Sequence, residues 1–189
     1  MAENKVQFNL CNAHYAVLTD TVNTSGVHSY SYGTPVPIPG AVTLTLDAAG
    51  DTSTFYADGM AYYQTQANNG YSGSLEVARI PDKMLEDVWG VTLATTDKTL
   101  IEFSNVQPKE IALLYQIDGD AGDQRYCLYR CSLGRPGIGS ATTTETKEPQ
   151  TQTVDIAAMP RADYKVMART TSLTTSTIVS GWFNAVYTG

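Results

Sequence analysis

Apolar positions in this chain recur every second residue over short stretches, the spacing of half-buried strands. Val42-Thr43-Leu44-Thr45-Leu46 is the cleanest case. Val6 to Leu10 and Tyr15 to Leu18 read as two short strands, and Phe55 to Tyr63 as another with a break at Asp58-Gly59. Asp47 to Asp51, around Gly50, is a turn. Asn68-Asn69-Gly70 carries the Asn-Gly pair favoured in tight hairpins and leads into a strand from Ser72 to Ala78. Val91 to Leu93, Ile101 to Phe103, Tyr126 to Leu133, Thr151 to Ala157 and Tyr164 to Ala168 add further strands. Ile111 to Ile117 presents a continuous apolar face, which predicts a central strand.

One segment departs from period two. Between Pro81 and Gly90, Met84, Leu85, Val88 and Trp89 form one stripe, Asp82 supplies a first-turn acid or cap, and Gly90 supplies a stop. A helix this short is marginal alone, so it must pack on a sheet. Residues 21–40 read as a loop, with Pro35, Pro37 and Pro39 fixing φ and removing donors in an extended arm without ladder bonds. A second loop runs over 134–149, and a Thr/Ser-rich segment from Thr170 to Thr177 precedes an apolar tail, Ile178 to Tyr187. Strands spaced about every 8–12 residues around one helix predict a single, mainly β domain over 1–189, a β-sandwich or barrel of packed antiparallel sheets.

Charge changes the picture more than length does. Charged residues are only 16% of the chain, against roughly 25% in ordinary soluble domains. Thr, Ser, Asn, Gln and 12 Tyr must cover the surface instead. The net charge is −7, and no lysine or arginine lies between Lys5 and Arg79, where Asp20, Asp47, Asp51, Asp58 and Glu76 occur. Nucleic-acid binding rests on cations that neutralise phosphates, so affinity for DNA is excluded for this third of the chain. The longest apolar run, Ile111 to Tyr115, is far short of the ~20 residues of a membrane-spanning helix. The N-terminus lacks a signal-peptide layout. Three cysteines are an odd number in a chain able to build a core unaided, which points to a soluble protein in a reducing cytoplasm.

Candidate chemistry is sparse. His14 and His28 stand outside any hydrolase or zincin motif. Cys127 and Cys131, four apart on a strand, are expected on one face roughly 13 Å apart, too far for one metal, and Cys11 adds no zinc-like spacing. Asp118-Gly119-Asp120-Ala121-Gly122-Asp123 echoes a calcium loop but has Tyr129 where the closing Glu belongs, so it reads as a hairpin turn. Gly137-Ile138-Gly139 lacks the third glycine of a dinucleotide fingerprint. The residues therefore predict no catalytic centre, no metal and no cofactor. The aromatic terminus, with Trp182, Phe183 and Tyr187, is either a last strand closing its own core or an arm that docks on a neighbour.

The order of features resembles the major tail proteins of siphophages. The likeness is carried by Asn4 to Phe8, by Tyr32 to Val42 with its alternate prolines, and by Phe55-Tyr56-Ala57-Asp58. It continues through Asn68 to Gly73, Leu75 to Ala78, Ile80-Pro81-Asp82, Ala112-Leu113-Leu114, Asp118-Gly119-Asp120, Glu148 to Thr151 and Trp182 to Tyr187. This resemblance implies a tail-tube fold, two packed antiparallel sheets with one short helix, and homo-hexameric rings stacked into a conduit for DNA. The implied partners are other copies of the chain and the tape measure, tail terminator and distal tail proteins. The location would be the virion tail, assembled in the host cytoplasm, with no membrane anchoring.

Within that picture Glu76 is the first lumen candidate, because Ser74, Glu76 and Ala78 share one strand face; Asp118, Asp120 and Asp123 are alternatives. An anionic lumen would repel DNA phosphates and let the cargo pass without specific binding. Stacking candidates are the 21–40 arm with Pro35 and Pro37, the 134–149 loop, and the 178–189 arm with Trp182, Phe183 and Tyr187. Two other readings stay open: the tube of a contractile injection device, and a monomeric carbohydrate-binding β-sandwich.

Overall fold

The computed structural model describes residues 3–142 and 149–189; positions 143–148, part of the expected 134–149 loop, lie outside the described residues. The first strands are β1 (Gln7–Val22), β2 (His28–Tyr32), β3 (Val36–Pro37), β4 (Ala41–Ala48), β5 (Thr52–Ala57), β6 (Met60–Gln66) and β7 (Tyr71–Val77). Helix α1 (Asp82–Trp89) is followed by β8 (Thr92–Leu93), β9 (Leu100–Ile101), β10 (Ile111–Gly119), β11 (Gln124–Leu133), β12 (Gln152–Ala158), β13 (Met167–Arg169) and α2 (Ser176–Gly181). The protein is mainly β, as the alternation predicts.

One antiparallel sheet dominates, in the order β2-β1-β10-β11-β12-β7-β4, with β3 added to β1 and β13 to β11. β5–β6 and β8–β9 form two small separate sheets. In a flat sheet β1 and β4 would stand five strands, about 24 Å, apart. They touch instead. Ala13 and Tyr15 of β1 share a core with Leu75, Val77, Val154 and Ile156, against which Leu44 and Leu46 of β4 also pack. The sheet therefore curls over itself, and its two halves serve as the layers of a sandwich.

Strand β10 explains its own unbroken apolar run. Ile111, Leu113 and Tyr115 point into the main core, while Ala112 and Leu114 point to a second cluster on the opposite face. Both faces of a central strand are covered, so neither can be polar. Helix α1 stands as its stripe predicts: Met84, Val88 and Trp89 are buried, Leu85 is half-buried, and Gly90 ends it in the left-handed region at φ 66°. Tyr15, buried in the core, donates from its hydroxyl to Asp87 Oδ2 of this helix at 2.9 Å. Tyr15→Phe is expected to cost about 1.5–3 kcal/mol, the range for a hydrogen bond to a charged group. A urea midpoint unchanged from the parent protein would contradict that contact.

Several expectations change. The two strands predicted at the N-terminus are one 16-residue strand, interrupted by irregular register near Asn12, where φ is 52°. The expected 21–40 loop contains β2 and β3. Alternate prolines did not prevent pairing, because along a strand every second N–H points the same way. All three prolines thus fall on the unbonded side, and the intervening Ile38 N–H donates to Ala13 O at 2.7 Å. The expected strand Phe55 to Tyr63 is a hairpin: Asp58 and Gly59, with φ of 53° and 76°, make the two-residue turn that such a pair favours. The Asn68-Asn69-Gly70 segment is not a tight hairpin turn, since β7 returns to pair with β4.

Cys127 and Cys131 face opposite ways, Cys127 into the second cluster and Cys131 into the main core. The register slips between Ile111↔Cys131 and Leu113↔Leu128. One extra residue in β11 reverses the alternation beyond it. The apolar tail is neither a strand nor an extended arm: α2 and the residues after it lie back on the sheet, with Trp182 in the second cluster and Phe183 and Val186 against it.

Candidate assembly surfaces

Strands β4, β7 and β12 bury Leu44, Leu46, Leu75, Val77, Val154 and Ile156 on one side. Their other side therefore carries the alternate residues. Register sets Thr43, Glu76 and Thr153 in one row, Thr45, Ser74 and Asp155 in the next, and Asp47, Ser72 and Ala157 in the third. Thr43, Thr45, Asp47, Thr153 and Asp155 are exposed, and Glu76 is half-buried, accepting from the Thr151 hydroxyl at 2.6 Å. These rows hold three carboxylates, five hydroxyls and no cation. Glu76 thus has two companions that sequence reading missed, Asp47 and Asp155. Only the pairing of β7 with strands far away in the chain brings them together.

The other three lumen candidates are not on this wall. They cluster at the β10–β11 turn, which the N-terminus clasps. Asp120 Oδ1 accepts the Lys5 N–H at 2.8 Å and the Val6 N–H at 3.4 Å, and Asn4 Nδ2 donates to Gly122 O at 2.6 Å. Asp118 accepts from Gln116 at 3.0 Å and from Cys11 and Asn9 at 3.2 Å. Those three donors, Gln116 foremost, hold its carboxyl below the usual carboxylate range. Asp118 and Asp120 thus bind the local fold together, while Asp123 is exposed at the turn.

The interface candidates divide likewise. Pro35 is buried and Pro37 exposed. Trp182 is 3% exposed and donates from Nε1 to Tyr126 O at 3.3 Å, so its face is spent within its own chain. Phe183 stacks on His14 at 4.8 Å and Tyr187 on Trp182 at 5.6 Å. Of the three, Tyr187 keeps the most contact surface, at 39% exposed.

A further exposed apolar surface lies on the β5–β6 hairpin. The β5–β6 hairpin carries on where β4 and β7 end, through Ala49 N–H to Gly70 O at 2.9 Å and Ala67 N–H to Asp51 O at 3.0 Å. It forms a two-stranded finger about 20 Å long. Phe55, Tyr56, Met60, Tyr62 and Tyr63 on it are each 61–70% exposed. Phe55 sits opposite Tyr63, and Met60 opposite Ala57, on one face. The available signal was Asp-Gly flanked by aromatic pairs.

Both histidines are engaged within the chain. His14 Nδ1 lies 2.8 Å from Asn12 O, and His28 Nδ1 lies 2.8 Å from Asp20 Oδ2. Burial and the Asp118 hydrogen bond push the Cys11 thiol up to about 11, and burial pushes Cys127 up to about 12 and Cys131 higher still. A raised pKa removes thiolate, so at pH 8 Cys11 is expected to react with a maleimide about 100-fold more slowly than free cysteine. Cys127 and Cys131 should react only after denaturation. Rapid native labelling of all three would contradict this packing. Among the described residues, no group of three or more His, Cys, Asp and Glu is placed to hold a metal ion, and no helix is long and apolar enough to cross a membrane.

No family model matches this chain, and no curated protein matches it either.

Proposed function

We propose that the chain is the repeating subunit of a phage tail tube, stacked as homo-hexameric rings into a conduit through which DNA leaves the virion. The observation that carries this reading is the exposed wall of β4, β7 and β12, with Asp47, Glu76 and Asp155 among hydroxyl side chains and no cation. Such a surface repels phosphates and offers them no counterion, which suits a channel that DNA must cross without sticking. Two further features support self-assembly. The sheet ends in β2 and β4, whose outer backbone groups are open to lateral pairing. The apolar finger is left uncovered by the described residues of its own copy.

In this reading the protein is structural rather than catalytic and takes no cofactor. Its other partners are the tape measure, tail terminator and distal tail proteins, and it resides in the virion tail. Negative-stain microscopy with mass determination at rising concentration tests it. Hollow, evenly striated filaments or six-fold rings are expected. A chain that stays monomeric, even with tail-initiation proteins added, rejects the reading. Glu76→Lys with Asp155→Lys is expected to leave tubes intact and to slow DNA release, measured as ejection rate from reconstituted virions.

One observation favours a second reading. Asn68, Tyr71, Tyr164, Lys165 and Tyr187 line a shallow cleft of about 530 Å³, and Tyr164 is 90% exposed. Aromatic faces beside amide and amine groups suit a sugar. Saturable glycan binding by a chain that never polymerises would favour this module over the tube.

A further inference from the structure

The exposed finger has a counterpart at the opposite end of the same strands. β7 leaves the finger base at Tyr71 and runs to Val77, about 20 Å away, where the chain turns into α1. There a cleft of about 340 Å³ is lined by Leu85, Trp89, Leu100, Pro136 and Ile138. Ile138 in this lining is 98% exposed. The finger extends β4 and β7 away from this cleft, so it cannot fill the cleft of its own chain.

We infer that the finger of one copy seats in the α1 cleft of the next, joining copies head to tail; this rests on the self-assembly proposed above and names the two surfaces that meet. A joint between different patches does not pair up as a two-fold dimer does; it leaves one patch of each kind free on the pair to take a further copy. Its size fits. The five finger side chains, shared between its two faces, present on the order of 600 Å² in their exposed parts, so a joint that covers both faces approaches the roughly 800 Å² per partner of a standard interface. Its charge allows the contact, since the cleft rim carries two arginines and two carboxylates and the finger a single carboxylate. Asp58, at the finger tip, is the only charged residue from Thr52 to Gln66. The cleft is framed by Arg79 and Arg135, whose side chains are 78% and 70% exposed in ion pairs with Asp82 and Glu102. Exposed pairs of this kind are weak and readily exchanged for a new partner.

Two single substitutions test the pairing while sparing the apolar anchors. Ala61→Cys lies on the finger, and Gly137→Cys lies at the cleft, where an added Cβ meets nothing within 4 Å. The two variants are mixed under assembly conditions with a short thiol–thiol cross-linker, and each is also treated alone. A covalent dimer that appears in the mixture, and is at least ten-fold less abundant in either variant alone, is the expected result. Assembly without that cross-link overturns the finger–cleft pairing and leaves the tube reading standing. A cross-link formed by Ala61→Cys alone shows finger against finger and also overturns it. Absence of any association, in the variants and the parent chain alike, overturns both proposals.

Discussion

On the proposed finger–cleft joint, Phe55→Asp combined with Tyr63→Asp is expected to yield a chain that folds normally and no longer assembles. The two residues face each other across the finger, 61% and 62% exposed, and neither belongs to a core cluster. Removing them costs the isolated fold little, within about 0.5 kcal/mol for surface sites of this kind. The two carboxylates repel weakly across the strand pair. In a joint that covers the finger they would be buried without partners, at a cost of several kcal/mol. That is enough to weaken association by more than a thousand-fold. Sedimentation should show monomer at concentrations where the parent chain polymerises, with an unchanged melting temperature. Filaments of ordinary length from the variant would remove the finger from assembly.

The second large effect lies at the other terminus and acts on the single copy. Trp182 is buried against Ala16, Ala112, Leu114, Cys127 and Tyr129, and it donates to Tyr126 O. Trp182→Ala is expected to cost about 3–5 kcal/mol, the range for emptying an aromatic site in a core. Truncation before Ile178 goes further and bares that whole cluster to water. Loss of tubes after truncation would therefore reflect a subunit that no longer holds its fold, where an arm docked on a neighbour would predict a stable monomer. Urea denaturation of the unassembled protein separates the two. A loss below 1 kcal/mol for Trp182→Ala would mean that the cluster is closed by something other than its own terminus.

What could be read from the chain was local. Helix α1 was legible because stripe, first-turn acid and terminal glycine agree within ten residues. β10 was legible because its first five residues, Ile111 to Tyr115, are buried on both faces and all apolar. α2 was not, since its six residues are rich in Ser and Thr and owe their helix to packing by Trp182 rather than to propensity. The facing of Cys131 turns on one extra residue in β11, which leaves no mark in composition. Glu76 was found from its own strand. Asp155 was out of reach because its place beside Ser74 depends on pairing with a strand about 80 residues away, a non-local contact with no local signature. The finger was not legible because the apolar pattern continues across Asp58-Gly59 as in one broken strand, although the pair is a strong hairpin signal.

The course of β7, from finger base to cleft rim, has a mechanical consequence. A pull along a row of copies joined finger to cleft would enter each subunit at one end of β7 and leave at the other. β7 is bonded along its length on both sides, in seven residue pairs to β12 and seven to β4. Tension directed along the strands loads those hydrogen bonds in shear, so they must fail together rather than unzip one by one. The wall that carries the three carboxylates would thus also be the tension member of the assembly, stiff in the direction in which DNA travels.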